Sequence, residues 1–341
     1  MAKKTGTIPD DPFELLQISP RAQPEVIEAA YKTLLVLNHP DHNGGDDRMA
    51  KALGEAHLKL TDARARARYD RSVGDRSGKV IGEYRILKLL AEGGFGRTYL
   101  GEHLLLKEPV CIKHCINISP VDDMILMEEA KAIWNLRHFS LPVMQNLLRL
   151  EDGSLALIMS YIPGPTLEQI VKKVKRLDAE HVAWITERIL NVLMYLHYHG
   201  VVHGDLKPQN IIIQPESHTV VLVDFGLSMV KPSATDGSKG YTPLYAPPEQ
   251  VRGETLVPES DFYSLGMTML FALTGDVNRV ARREVPESVP VALCDFMRRL
   301  LVRDPLKRPN WKKENLFDTF KAVRKESFGR SRSNMKPIPG L

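Results

Sequence analysis

Residues 203–210 read His-Gly-Asp-Leu-Lys-Pro-Gln-Asn, and fourteen residues after the last of them the chain reads Asp224-Phe225-Gly226. The first stretch places an Asp, a Lys and an Asn on one loop, and the second adds another Asp on a turn. Transfer of a phosphoryl group from ATP needs a carboxylate for the attacking hydroxyl, a cation near the moving phosphate and oxygen ligands for Mg²⁺. A single Asp is most often a turn or cap residue, but several such groups at this spacing indicate phosphoryl-transfer chemistry.

The composition is that of a globular protein with room for about two domains. Among the 341 residues, 43% are apolar and 26% are charged. No apolar run approaches the roughly 20 residues that a membrane helix needs, and the basic start does not lead into a signal-peptide segment. The three cysteines provide no disulfide framework, which suits a reducing compartment. We therefore expect a cytoplasmic protein without a membrane span.

The small net charge of +4 is concentrated at the end of the chain. Residues 321–341 hold six Lys or Arg and a single acid, Glu326. Aromatic residues do not interleave with these bases, and no nucleic-acid-binding fold is recognisable, so the segment does not indicate nucleic-acid binding. We interpret residues 326–341 as a basic, disordered tail.

The residue pattern divides the rest of the chain into three segments. Residues 11–71 have helical periodicity on both sides of a loop that begins with His39-Pro40-Asp41. Residues 72–83 are polar and largely aperiodic, and we interpret them as a linker. Residues 84–325 begin with short strands and continue with long amphipathic helices, an order that indicates an α+β body.

The order and spacing of residues 203–210 and 224–226 resemble the catalytic core of eukaryotic-type (Hanks-type) Ser/Thr protein kinases. This resemblance implies a bilobal α+β kinase fold over residues 84–325, with ATP and Mg²⁺ as cofactors and proteins as substrates. It makes Asp205 the group that orients or deprotonates the substrate hydroxyl, and Lys207 the lysine typical of Ser/Thr-specific members. It also makes Asn210 and Asp224 the Mg²⁺ ligands.

The kinase resemblance extends to the segment that would bind the nucleotide. Residues 91–99 form a glycine-rich hairpin pattern, and residues 110–113, Val-Cys-Ile-Lys, resemble the family's V-A-I-K strand. Lys113 is then the cation on the phosphates, and we prefer Glu129 to Glu128 as its ion-pair partner because Glu129 matches the family's helix register. The residues expected around the nucleotide are Ala91, Gly93, Gly94, Gly96, Thr98, Cys111, Lys113, Met159, Ser160 and Ile162.

Two residues depart from the family pattern in ways that affect chemistry. Cys111 stands where the family usually has Ala, so it is either a reactive thiol that ATP protects or a buried, inert one. Gly204 stands where most members have Arg, which pairs with a phosphate on the activation loop. Without that Arg, we expect activity that does not depend on phosphorylation of Ser233, Thr235, Ser238 or Thr242.

Residues 11–71 resemble a DnaJ-type J domain, an antiparallel helical hairpin with an H-P-D loop. The resemblance implies that His39, Pro40 and Asp41 engage a DnaK-type chaperone; the alternative is a helical hairpin that serves only as a scaffold. The helix before the loop carries Lys32 as its only base in the corresponding face, so we expect weak stimulation of a chaperone.

Taken together, the sequence predicts a multidomain protein in which a small all-α J domain precedes a bilobal kinase. The alternative from another class is a nucleotide-binding pseudokinase that acts as a scaffold for the J domain. The presence of Lys113, Glu129, Asp205, Asn210 and Asp224 favours the active enzyme.

Overall fold

The computed structural model describes residues 12–18, 24–38, 47–61, 78–93, 96–115, 120–151, 153–214, 219–330 and 338. The chain divides into two compact units near Lys79. The predicted chaperone-binding residues His39, Pro40 and Asp41 lie outside the described residues, as do Gly94 and residues 72–77 of the predicted linker.

The first unit is helical. It contains α1 (Pro12–Leu15), α2 (Pro24–Leu37) and α3 (Arg48–Thr61). On α3, Leu53, Ala56 and Leu60 are buried at the three- and four-residue spacing that places them on one face of a helix. They pack with Phe13, Leu15, Leu16 and Ile27 in one apolar cluster, so the two longer helices share the core that the periodicity predicted.

The second unit begins with a six-stranded sheet. Its strands are β1 (Val80–Ile81), β2 (Tyr84–Gly93), β3 (Gly96–His103), β4 (Pro109–His114), β5 (Met144–Arg149) and β6 (Leu155–Ser160), in the spatial order β1-β2-β3-β4-β6-β5. Helix α4 (Pro120–Ile133) lies between β4 and β5 in the chain and packs beside β5 and β6. Strand β1 pairs with the start of β2, so the sheet includes Val80 and Ile81, which the sequence analysis had assigned to the linker.

Helices dominate the rest of the second unit, as the order of patterns predicted. They are α5 (Leu167–Val174), α6 (Ala179–Tyr198), α7 (Pro248–Val251), α8 (Pro258–Thr274), α9 (Val277–Ala281), α10 (Val291–Leu300) and α11 (Leu316–Phe328). Two short ribbons accompany them: β7 (Val201–Val202) pairs with β10 (Met229–Val230), and β8 (Ile211–Gln214) pairs with β9 (Thr219–Leu222).

Helix α8 is the centre of this helical part. Every side chain from Ser260 to Leu273 is buried, a pattern typical of a helix surrounded by protein on all faces. The helix ends at Gly275, whose φ of +64° is the left-handed conformation that glycine adopts without strain. A Cβ at Gly275 would also lie 1.7 Å from the Lys175 carbonyl oxygen, so only glycine fits at this close approach.

The structure corrects the interpretation of the basic tail. Helix α11 continues to Phe328 and is capped by Gly329, beyond the predicted start of the tail at residue 326. The buried Arg324 pairs with Glu187, and Arg330 lies 2.6 Å from Glu180. Ile338 is also buried, at 5% exposure. Two of the basic residues of this segment therefore form ion pairs with the rest of the second unit. Residues 331–337 lie outside the described residues.

None of the helices within the described ranges is long and apolar enough to cross a membrane.

A buried ion pair joins two distant parts of the helical region. Arg308 binds both carboxylate oxygens of Glu249, with Nη1–Oε1 at 2.6 Å and Nη2–Oε2 at 2.9 Å. The remaining N–H groups of the guanidinium donate to the carbonyl oxygens of Val302, Glu259 and Arg303, so all of its donors are satisfied. Removal of one partner of such a buried pair destabilises the fold strongly, because the other charge stays buried without a partner.

We expect Arg308→Ala to destabilise the second unit strongly. Loss of one partner of a buried pair costs about 3 kcal/mol or more, which corresponds to a fall in Tm of about 6–12 °C for a domain of this size. Differential scanning calorimetry of the full chain measures this shift. Arg298→Ala is the matched control, because Arg298 pairs with Asp295 in an exposed position, and its Tm should stay close to wild type. Equal shifts for the two variants would contradict the expectation.

Candidate active site

One buried carboxylate, that of Asp261, holds the loop of residues 203–210 in place. Asp261 accepts hydrogen bonds from the backbone N–H groups of His203 and Gly204, both at 2.9 Å, and lies 2.8 Å from His197 Nε2. Burial alone would raise the pKa of Asp261, but these donors outweigh it and the pKa is lowered. A permanently ionised Asp261 therefore fixes the path of the loop.

His203 contributes to the loop as a neutral ring. Its Nδ1 accepts from the backbone N–H of Asp205 at 3.2 Å, and its Nε2 faces the carbonyl oxygen of Val223 at 3.3 Å. Because a carbonyl only accepts, the proton resides on Nε2. Burial lowers the pKa of His203 despite the nearby carboxylates, which agrees with this neutral form.

The carboxylate of Asp205 is held by three donors. Lys207 Nζ donates to Oδ2 at 2.7 Å, Asn210 Nδ2 donates to Oδ2 at 3.1 Å, and the Thr242 hydroxyl donates to Oδ1 at 2.6 Å. Lys207 also donates to the Thr242 hydroxyl at 2.9 Å. The side chain of Asp205 is consequently oriented before any substrate arrives, as a group that receives a proton must be.

A second cluster surrounds the ammonium group of Lys113. Its Nζ lies 2.6 Å from Glu129 Oε2 and 2.6 Å from Asp224 Oδ1. The backbone N–H of Phe225 donates to Glu129 Oε1 at 3.2 Å, so the helix that carries Glu129 is joined to the turn that carries Asp224. Of the two candidate acids, the structure places Glu129 beside Lys113, whereas Glu128 lies beside Lys239.

The three groups of this cluster shift one another's pKa values. Burial would lower the pKa of Lys113, but Asp224 and Glu129 raise it well above its ordinary value. Burial would likewise raise the pKa of Asp224, yet Lys113 holds it at about 2. For Glu129 burial dominates, and its pKa is raised although Lys113 opposes the shift. Asp224 is thus an ionised oxygen donor at neutral pH.

Residues from both parts of the second unit line one cavity of about 280 Å³. Most of the predicted nucleotide residues meet here: Ala91, Thr98, Cys111, Lys113, Met159, Ser160 and Ile162, together with Glu129, Asn210 and Asp224. Leu90, Ile212 and Val223 add apolar wall that the sequence analysis did not assign. A cavity with apolar walls at one end and charged groups at the other suits a nucleotide.

The glycine-rich hairpin is described on both sides of its tip. Gly93 ends β2 and Gly96 begins β3 with a φ of +144°. A Cβ at Gly96 would lie 2.2 Å from the His114 carbonyl oxygen, so the close approach of β3 to β4 requires glycine there. Gly96 is not among the described residues that line the cavity.

The residues that would hold Mg²⁺ fit that ion when it is bound with a nucleotide. Within the described ranges, no group of three or more His, Cys, Asp or Glu side chains forms a metal site. Mg²⁺ commonly takes one or two carboxylates and completes its shell with phosphates and water. Asn210 donates through Nδ2 to Asp205, which leaves Oδ1 as its acceptor atom, and Asp224 is ionised. These two oxygen donors line the same cavity.

Gly204 is required by the backbone of the loop. Its φ is +74°, and a Cβ would lie 2.7 Å from the Leu227 carbonyl oxygen and 2.9 Å from Leu256 Cδ1. A side chain at this position would force the loop or the segment after Asp224 to move. Gln250 instead connects the two, because its Nε2 donates to the carbonyl oxygens of Gly204 at 2.7 Å and Gly240 at 2.9 Å. The link made by Gln250 is uncharged.

Sequence reasoning missed the part played by Thr242. It was considered as a phosphorylation site, whereas its hydroxyl bonds both Asp205 and Lys207. A phosphate on Thr242 would place negative charge against the Asp205 carboxylate, so this residue is a poor activating site. The only local feature of Thr242 in the sequence is that it precedes Pro243. That feature does not predict a hydrogen bond to Asp205, which is 37 residues away in the chain.

Comparison with known proteins agrees with this geometry. The model of the protein kinase domain matches residues 84–317, and the model of the DnaJ domain matches residues 11–70. The chain belongs to the protein kinase family and carries an N-terminal DnaJ domain.

Curated relatives match the kinase region. Serine/threonine-protein kinase pkn3 of Myxococcus xanthus is 34% identical over 212 residues, which cover 58% of this chain and 39% of the relative. Maternal embryonic leucine zipper kinase of Danio rerio is 30% identical, over 59% of this chain and 30% of its own length. The probable serine/threonine-protein kinase PknB of Lactococcus lactis is 29% identical, over 62% and 36%. The chain thus spans less than two fifths of these relatives.

The two alternatives for Cys111 lead to opposite expectations in a labelling experiment. Burial raises the pKa of its thiol to about 12, although Lys113 opposes the shift. Because the thiolate is the nucleophile, alkylation at pH 8 should be roughly a thousandfold slower than for an unshifted thiol.

Mass spectrometry after iodoacetamide treatment measures the rate at Cys111 in the native chain and in urea. The rate in urea is the reference for the same cysteine without the fold. The variant Cys111→Ala identifies the labelled peptide. Fast native labelling that ATP prevents would support the reactive thiol and contradict the expectation.

Proposed function

We propose that this chain is a Ser/Thr protein kinase that transfers the γ-phosphoryl group of ATP to protein hydroxyls and uses Mg²⁺. The observation that carries the proposal is the position of Lys113 Nζ, 2.6 Å from both Glu129 Oε2 and Asp224 Oδ1. In protein kinases this ion pair and the Asp of the D-F-G turn must both be in place for activity.

Each side chain then has a specific task. Lys113 binds phosphate oxygens of the nucleotide, and Glu129 fixes its position. Asp205 receives the proton of the substrate hydroxyl, and Lys207, 2.7 Å from Asp205, stabilises charge on the moving phosphoryl group. Asn210 and Asp224 would hold Mg²⁺, whose positive charge would neutralise charge on the phosphates. Thr242 and Asn210 keep the carboxylate of Asp205 oriented.

The alternative function is that of a nucleotide-binding pseudokinase that serves as a scaffold. It predicts ATP binding without transfer. The set of Lys113, Glu129, Asp205, Asn210 and Asp224 is complete, which favours transfer. Lys113 contacts Glu129 and Asp224, and Asn210 contacts Asp205.

Substitution of Asp224 separates the two functions. We expect wild-type protein to phosphorylate itself and a general protein substrate, and Asp224→Ala to lower kcat at least about a hundredfold, since it removes a preorganised charge at the phosphates. Transfer from radiolabelled ATP measures the rate. Asp295→Asn, an exposed acid on α10, should retain the wild-type rate. Wild-type protein that binds ATP but transfers no label would support the pseudokinase.

We propose in addition that the DnaJ domain recruits a DnaK-type chaperone through His39, Pro40 and Asp41. The match of residues 11–70 to the DnaJ domain supports this role. The charge on helix α2 limits it, because Lys32 is paired with Glu28 at 3.1 Å. Glu28 also lies 2.6 Å from His57. A surface with so little free positive charge should associate slowly with an acidic partner.

The ATPase rate of a DnaK-type chaperone tests this recruitment. The full chain is used with Asp205→Asn, so that its own turnover of ATP does not contribute to the signal. We expect modest stimulation that His39→Gln abolishes, whereas His42→Gln, three residues further along the chain, leaves it intact. Identical stimulation by the two variants would assign the helices a scaffold role alone.

A cytoplasmic location is also a proposal. All three cysteines, Cys111, Cys115 and Cys294, are free thiols, which suits a reducing compartment.

A further inference from the structure

One lysine on the segment after Asp224 contacts two elements of the active site. We define the activation segment as residues 224–249. Within it, Lys239 Nζ lies 2.6 Å from Glu128 Oε2 and donates to the Ser228 carbonyl oxygen at 2.7 Å. The side chain of Lys239 is 22% exposed and that of Glu128 is 41% exposed. The contact is therefore at the edge of the protein, where it can form and break without unfolding.

Both partners of Lys239 adjoin residues of the proposed catalytic machinery. Glu128 precedes Glu129 on helix α4, so a restraint on one acts on the backbone that carries the other. Ser228 closes the turn after Asp224, because its N–H and its hydroxyl both donate to the Phe225 carbonyl oxygen, at 3.0 Å and 2.7 Å. Lys239 thus ties the helix of Glu129 to the turn of Asp224.

Along the chain, Lys239 is also close to Thr242, which orients Asp205. Gly240, its neighbour, accepts from Gln250 at 2.9 Å, and Thr242, three residues further on, donates to Asp205 at 2.6 Å. The segment from Lys239 to Thr242 therefore contacts helix α4, the turn and the catalytic loop in succession.

We propose that Lys239 is a positioning residue that holds the activation segment in its catalytic arrangement through Glu128 and Ser228, in place of a phosphate. The inference rests on the proposed kinase function and deepens it by naming how the site is regulated. Gly204 has no charged side chain that could bind a phosphate, and its surroundings leave no space for a larger side chain. Lys239 instead brings its own positive charge to an acid on α4, so assembly of the site requires no modification.

The partial exposure of the pair decides the kind of effect to expect. Exposed ion pairs contribute little to global stability. Loss of such a pair can still shift the population between conformations of the activation segment that are close in free energy. Substitution should therefore lower kcat and leave the unfolding temperature nearly unchanged.

The experiment uses the full chain after treatment with a phosphatase. The variants are Lys239→Ala, Glu128→Ala, the double Ala variant, and the exchange of charges Lys239→Glu with Glu128→Lys. We expect each single variant to lower kcat by about threefold to tenfold. The double variant should lose no more than the stronger single variant, and the charge exchange should recover part of the rate. KM for ATP should stay within about twofold, since neither residue lines the nucleotide cavity.

Amide hydrogen exchange supplies a readout that does not need activity. Lys239→Ala should speed exchange in residues 120–133 and 227–242 together. Lys131→Ala, an exposed lysine on the same helix, is the control and should change neither the exchange nor kcat. If the wild-type chain transfers no phosphate, the proposed function fails, while exchange still decides whether Lys239 links the two segments.

Three results would overturn the inference. The first is a kcat for Lys239→Ala within twofold of wild type. The second is a lower kcat with unchanged exchange in residues 120–133, which would assign Lys239 to a contact with the substrate. The third is a wild-type rate that collapses on phosphatase treatment, which would show that a phosphate is needed after all.

Discussion

The rest of the active site depends on the ammonium group of Lys113. This group comes from strand β4, and it binds a carboxylate of helix α4 and a carboxylate of the turn at Asp224. Without the cation, the buried Glu129 carboxylate and the partly exposed Asp224 carboxylate would repel each other, and the helix and the turn would lose their ionic link. A single charge therefore joins the strand, the helix and the turn that line the cavity.

The loops of the site lack regular backbone partners, and buried side chains replace them. Asp261 holds the N–H groups of His203 and Gly204, Gln250 joins Gly204 to Gly240, and Glu249 is fixed by Arg308. These bonds satisfy backbone groups that would otherwise be buried alone, which explains why an irregular segment keeps one conformation. The Glu249 carboxylate is paired with Arg308, and the bonds of the Gln250 amide are uncharged.

Much of the fold and of the site could be predicted from the sequence because both rest on local patterns. Helical periodicity identified the first unit, and the change from strands to helices identified the second. The residue types and spacing of 203–210 and 224–226 indicated the chemistry. The boundaries were less accurate: β1 lies in the predicted linker, and α11 runs into the predicted tail. Strand pairing and helix capping determine such ends, and both depend on partners elsewhere in the chain.

The sequence by itself determined which reactive groups are present and which of them are close along the chain, because spacing within a loop or a helix fixes local neighbours. Only the tertiary structure decided which distant groups meet. Lys113 and Asp224 are 111 residues apart, Thr242 reaches Asp205, and Lys239 reaches Glu128. Tertiary packing also raises the pKa of the Cys111 thiol, chiefly because the fold removes water from it. Contacts of this kind arise from packing between elements, and no local pattern of residues specifies them.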